Sequence, residues 1–304
     1  MPPIRASSAR SAASSRSWRL LFAHPILADQ AAALTEAGTG TARQPILLAD
    51  RPGTPLVCLH ASDGFAAAYR PLAEGLDRIR PVLGLEAPGL QPGEAPVDRL
   101  DVLARLHRAA LEPPPAGGHI LLGWSMGAHT AWELARILLA EGEPVARLVL
   151  IDPAPRRPFA GIRSPGDLLL VCAGDAMRQI LSGDRHDAEA IDALPEGERC
   201  DLWRRLLARQ GLPPSLLADE AALERFLGVL SANLRAMVLA NASPLPPGPE
   251  ILVFTAAQRP PGWDAPLAEW GEQLAGRAET VPIEADHWSI LRAPDLLRRI
   301  SAFP

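Results

Sequence analysis

Gly123-Trp124-Ser125-Met126-Gly127 is a stretch in which residue types and spacing already describe a reaction. In G-x-S-x-G the serine must stand exposed at a sharp strand-to-helix turn. Small residues two before and two after it let the chain fold back without collision. The helix that follows aims its dipole and free N–H groups at the reacting centre. The apolar run His119-Ile-Leu-Leu122 precedes the motif, and residues 126–141 continue at helical spacing. Ser125 is therefore the candidate nucleophile. A helix-capping serine is the bland alternative.

A serine hydroxyl needs an adjacent general base. Of the seven histidines, His287 follows a late predicted strand, Val281 to Glu284, where this architecture places its base. His129 lies one helical turn past Ser125 and reads as packing or capping. His60 reads as shaping a turn, and His186 as solvated in a polar segment. His24, His107 and His119 precede the nucleophile. The acid that fixes the imidazole tautomer is Asp152, at the end of Leu148-Val-Leu-Ile151. Its rival is Asp264, in the loop after Ile251-Leu-Val-Phe254. Asp286, beside His287, reads as a loop anchor. A tetrahedral oxyanion needs about two fixed N–H donors. Met126 supplies one by position. Ser62, in His60-Ala-Ser-Asp-Gly64, is the candidate for the second, with Ala61 and Asp63 competing.

The elements that must position these groups follow a regular order. Apolar runs at 56–60, 81–85, 119–122, 148–151 and 251–254 read as strands, as does the segment 279–284. Helical spacing is predicted over 64–76, 97–112, 126–141, 265–275 and 293–302. This order implies an α/β fold with a mainly parallel sheet and helices on both faces. The rhythm breaks over about 158–247, where helices at 175–182, 198–209 and 219–240 alternate with Pro- and Gly-rich joints. Leu168-Leu-Leu-Val-Cys172 could be a strand, but an apolar approach to a helix is favoured. A helical insertion at this place is expected to form a lid over the strands' C-terminal ends, where open α/β sheets bind ligands. Residues 46–304 are expected to be the catalytic domain. Residues 1–45 are expected to be an extension or linker, partly disordered. The Arg- and Ser-rich, acid-poor start resembles a transit peptide in composition only.

Composition removes other classes. All 30 basic residues are arginine, against 35 acidic ones, for a net charge of −5. No basic block marks a nucleic-acid binder. No apolar run reaches the ~18 residues of a membrane helix, so neither nucleic acid nor membrane is expected as a partner. Cys58, Cys172 and Cys200 are widely spaced and suit neither a disulfide framework nor a zinc site. A reducing cytoplasm is the expected compartment.

The chain resembles the thioesterase domains of non-ribosomal peptide and polyketide synthetases over about residues 46–303. The resemblance is carried by Pro55-Leu-Val-Cys-Leu-His60, Gly64 with Tyr69-Arg-Pro-Leu-Ala73, and Gly84-Leu-Glu-Ala-Pro-Gly-Leu90. It continues through Gly123 to Gly127, Ala131-Trp-Glu-Leu-Ala135, Leu148 to Asp152, and Asp286-His-Trp-Ser-Ile-Leu291. It implies an α/β-hydrolase fold, a helical lid and a Ser125–His287–Asp152 triad. The implied substrate is an acyl chain on the phosphopantetheine arm of an acyl or peptidyl carrier protein, with no resident metal or redox cofactor. An acid at Asp152, with none at Ala256-Ala-Gln258, resembles the chain-releasing type. Ala61-Ser-Asp-Gly64 departs from the family's Pro-x-Gly-Gly-like turn, and Met126-Gly127-Ala128 resembles the editing type. An editing thioesterase, a general carboxylesterase and a catalytically silent carrier-binding protein are the alternative readings. Arg178, Trp203, Met237 and Trp263 are candidate substrate contacts by region, and Arg156, Arg157 and Arg163 are candidate contacts to an acidic carrier.

Overall fold

The computed structural model describes residues 44–76, 80–164, 166–172, 188–209, 214–240, 243–259, 263, 267–274 and 276–303. Asp264, Arg178, His24 and His186, and the helix expected at 175–182, lie outside them. The chain divides into two compact units. One contains Ile162–Asp201, and the other combines Ala42–Gly161 with Leu202–Pro304.

In the first unit residues 166–172 are helical, so Leu168 to Cys172 belong to a helix and not a strand. Helix Ala188–Ala193 follows. Gly166 lets the two helices meet closely: a Cβ there would fall 2.3 Å from the Ala188 carbonyl oxygen, while the Gly166 N–H donates to Asp192 Oδ1 at 2.8 Å. Helix Glu196–Arg209 begins in this unit, continues past its end at Asp201, and matches the helix expected at 198–209.

The second unit is built on seven strands: β1 (Ile46–Ala49), β2 (Leu56–Leu59), β3 (Val82–Leu85), β4 (His119–Trp124), β5 (Val145–Ile151), β6 (Glu250–Gln258) and β7 (Ala278–Asp286). Their spatial order is β1-β3-β2-β4-β5-β6-β7. Only β1 runs antiparallel, paired with β3; the other pairs are parallel. This is the parallel sheet of an α/β-hydrolase fold. Alternation along the strands separates two apolar layers. Leu56, Ile120, Leu122, Val149, Ile151 and Phe254 pack on one face with Tyr69, Leu72, Leu296 and Ile300. Leu59, Leu121, Leu148, Leu150, Ile251 and Val253 pack on the other with Ala131, Leu134 and Leu138.

The helices of this unit are α1 (Arg70–Gly75, entered by a 3-10 turn at Ala66–Tyr69), α2 (Leu100–Ala109) and α3 (Gly127–Ala140). Then come α4 (Pro214–Ala218), α5 (Glu220–Leu239), α6 (Gly271–Leu274) and α7 (Pro294–Ser301). Helix α5 starts at an N-cap, Asp219, whose side chain accepts from the Ala222 N–H, removing one orphan donor.

The strand order fixes where chemistry can happen. The chain leaves β2 outward to β3, then returns to the other side of β2 as β4. The crevice between the carboxyl ends of β2 and β4 is the topological switch point. Ser125 follows β4 and the loop carrying Ser62 follows β2.

Candidate active site

Two glycines make the turn at Ser125 possible. A Cβ on Gly123 would fall 2.1 Å from the Gly127 carbonyl oxygen, and one on Gly127 would fall 2.3 Å from that of Leu59. Neither position tolerates a side chain. Ser125 itself has φ 57°, in the left-handed region that costs a non-glycine residue roughly 1–3 kcal/mol. Its N–H donates to Ile151 O at 3.0 Å. The single tyrosine of the sequence braces the turn from below. Tyr69 O–H donates to Leu59 O, and its oxygen accepts the Trp124 N–H at 2.9 Å.

Asp152 ends β5 one strand away and is also left-handed, with φ 39°. Its N–H donates to Phe254 O at 2.7 Å, and its Oδ1 accepts the Ala256 N–H at 3.0 Å. The side chain is fully buried, and the Arg259 Nε stands 3.7 Å from Oδ1. The loop after β6, the rival place for an acid, thus brings a cation to Asp152. Beyond Asp152 the chain is tied down again. The His129 Nε2–H donates to Ala154 O at 2.8 Å, and the ring packs on Trp270 with centroids 4.8 Å apart. Burial pushes the His129 imidazole down to about 3, so it is neutral. The Arg156 and Arg157 N–H groups donate to the Glu269 carboxylate. The Arg156 guanidinium donates to Ala240 O at 3.1 Å. Arg156 is therefore turned to an internal partner, unlike the carrier contact expected of it. Arg157 is exposed.

His287 follows β7 in a loop closed by its neighbour. Asp286 Oδ1 accepts the Trp288 and Ser289 N–H groups at 2.8 and 2.7 Å. Those hydrogen bonds hold its carboxyl below the usual range. The His287 Nδ1–H donates to Asp152 Oδ2 at 2.7 Å, and Nε2 lies 3.1 Å from Ser125 Oγ. With Nδ1 protonated, Nε2 is the acceptor for the serine O–H. Three tryptophans surround the ring. Trp124, Trp263 and Trp288 have centroids 5.0, 4.6 and 5.1 Å from it. Trp124 also donates from Nε1 to His287 O at 3.0 Å. Trp288 is 65% exposed, so the cage has one open side.

The loop after β2 completes the arrangement. The Gly64 N–H donates to Ala61 O at 3.1 Å, and His60 Nδ1 lies 2.8 Å from the same oxygen. The carbonyl of the Ala61–Ser62 peptide is therefore held from two sides, which fixes the opposite Ser62 N–H. Among the described residues, neither the Ser62 nor the Met126 N–H has a protein acceptor. Asn233, from helix α5, donates to Ser62 O at 3.1 Å. The five candidate residues Ser125, Asp152, His287, Met126 and Ser62 all lie on elements that end at one edge of the sheet.

Asn233, Arg259 and the bracing role of Tyr69 do not emerge from the sequence reading. Asn233 has a signal, since a polar residue stands between Leu230, Leu234 and Met237 in an apolar helix. Arg259 has none, because its proximity to Asp152 depends on strand pairing.

The fold is of the α/β-hydrolase class, and at its switch point Ser125, His287 and Asp152 stand in one hydrogen-bonded series. Residues 54–303 match the thioesterase domain model, and the chain belongs to that family. It is 32% identical over 259 residues to a non-reducing polyketide synthase of Arthrinium sp., covering 81% of this chain and 12% of that one. It is 26% identical over 289 residues to a dimodular nonribosomal peptide synthase of Bacillus subtilis, covering 92% and 11%. The chain thus spans about one-tenth of the length of these curated relatives. Among solved structures, the wild-type Vlm2 thioesterase domain superposes with a TM-score of 0.57 at 27% identity, covering 85% of this chain and 95% of that one. Among the described residues, no helix is long and apolar enough to cross a membrane.

Proposed function

We propose that the protein releases an acyl, peptidyl or polyketide chain from the phosphopantetheine thioester of a carrier protein through an acyl-Ser125 intermediate. The observation that carries this reading is the hydrogen-bonded series Ser125–His287–Asp152 at the switch point of a thioesterase-family fold. Ser125 Oγ attacks the thioester carbonyl while His287 Nε2 takes its proton. The carbonyl oxygen becomes an oxyanion facing the Met126 and Ser62 N–H groups. The C–S bond then breaks, and His287 returns the proton to the departing pantetheine thiolate. The remaining ester is cleaved by water, giving an acid, or by a hydroxyl or amine of the chain itself, giving a ring. His287 deprotonates either nucleophile. Asp152 holds Nδ1–H and stabilises the imidazolium. The pantetheine arm arrives with the substrate, and the steps call on no resident metal or redox cofactor.

The position of the acid after β5 supports the releasing type over the editing type. The test is intact-protein mass spectrometry with acyl-pantetheine thioesters of varied length. An acyl adduct on wild-type protein that disappears in Ser125→Ala, with acid or ring as product, is the expected result. No adduct and no turnover with any thioester would overturn the reading.

A further inference from the structure

We propose that Asn233 is a positioning residue through which helix α5 sets the geometry of the oxyanion hole. This inference rests on the thioesterase reading and on Ser62 as a donor. The helix lies directly on the loops that follow β2 and β3. Phe226 stacks on Phe65 with ring centroids 5.9 Å apart. Gly64 and Gly89, at φ 82° and 100°, leave room for Val229. A Cβ on either would fall 2.6 or 2.9 Å from a Val229 methyl group. Arg225 donates to Leu90 O at 3.3 Å, and Arg235 pairs with Asp98 at 3.2 Å. On this packed face Asn233 is 2% exposed, and its Nδ2 donates to Ser62 O.

The two peptide planes that flank Ser62 are thus held by different elements. The Ala61–Ser62 plane, which carries the Ser62 N–H, is held at its carbonyl end within its own loop by Gly64 and His60. The Ser62–Asp63 plane has its carbonyl fixed by Asn233. Asp63 adds a turn bond, since its Oδ1 accepts the Phe65 N–H at 3.1 Å. The Gly64 carbonyl accepts the Ala87 N–H at 2.9 Å. Without Asn233 the Ser62 carbonyl loses its donor from helix α5. Ser62 is then anchored on its N-terminal side alone, and a shift of its Cα tilts the adjoining Ser62 N–H away from the oxyanion. An oxyanion donor acts only when aligned in advance. Losing this bond should therefore weaken transition-state binding while substrate binding stays the same.

The experiment uses Asn233→Ala and the closer-sized Asn233→Leu, with an acyl-pantetheine thioester as substrate. An acyl trifluoromethyl ketone serves as inhibitor, because Ser125 adds to its carbonyl to form a stable hemiketal oxyanion. In both variants kcat is expected to fall roughly tenfold or more, with KM unchanged. The inhibition constant should rise by the same factor, and the pH profile of kcat/KM should keep its midpoints because the relay is intact. Unchanged kcat, or a loss confined to KM, or ketone affinity that stays at the wild-type level while kcat falls, would overturn the proposal. If one variant does not fold by circular dichroism, the other decides. Wild-type protein inert toward every thioester would instead overturn the thioesterase reading.

Discussion

Trp124 and His287 are joined twice: the indole Nε1 donates to the His287 carbonyl at 3.0 Å, and the two rings pack with centroids 5.0 Å apart. The residue beside the nucleophile thereby carries the loop of the base. Trp124→Phe keeps an aromatic ring but leaves a buried carbonyl without its donor, at a cost of about 1–3 kcal/mol. The expected outcome is a lowered Tm and a several-fold fall in kcat with KM near the wild-type value. Calorimetry and steady-state kinetics check it. Unchanged kcat would mean that the loop is positioned without this bond.

Asp152→Asn should preserve the fold, since the amide oxygen can still accept the Ala256 N–H. The amide NH2 then faces Nδ1 and favours the opposite imidazole tautomer. The expected loss in kcat is on the order of 10⁴, with little change in KM. Loss below about tenfold would remove Asp152 from its assigned role, and Asp264 would become the residue to test.

Gly64→Ala meets two obstacles at once: a φ of 82° and a Val229 methyl 2.6 Å from the new Cβ. Overpacking of this kind costs roughly 1–3 kcal/mol, with backbone strain in addition. Urea unfolding should show a lowered midpoint, and kcat should fall because the same loop carries Ser62. A variant as stable as wild type would show that helix α5 yields at this contact.

His129 makes stability depend on acid. Burial places its pKa near 3 in the folded protein, against 6.5 when free. The folded state binds fewer protons, so stability rests on the neutral ring. That contribution is complete above about pH 6.5 and is lost as pH falls from there toward 3. In His129→Gln the fall of Tm between pH 6.5 and 4 should be shallower. Parallel slopes in the two proteins would show that other groups govern the acid limb.

Much of this arrangement is legible in the sequence because its signals are local. G-x-S-x-G needs small residues in part because a Cβ on Gly123 would collide with Gly127, a clash that lies within the motif itself. The predicted strands match six of the seven found, five of them from apolar runs. β1 is less distinct because Ile46 and Leu47, at the sheet edge, are exposed. The helix expected over 64–76 divides into a 3-10 turn and α1, since Tyr69 turns inward to brace Trp124. What sequence does not reveal are pairs made by tertiary packing. Arg259 approaches Asp152 because β5 and β6 are neighbours. Asn233 reaches Ser62 across 171 residues of sequence.

The separation between Ser125 and His287 is 162 residues, and strands β5, β6 and β7 must all be in place in the sheet before His287 reaches Ser125. No short fragment of the chain holds both ends of the relay. On the proposed mechanism, a nascent or half-refolded protein that lacks β7 holds Ser125 without its base and would not discharge a thioester early. Recovery of activity after dilution from denaturant would therefore report molecules in which β7 has joined the sheet.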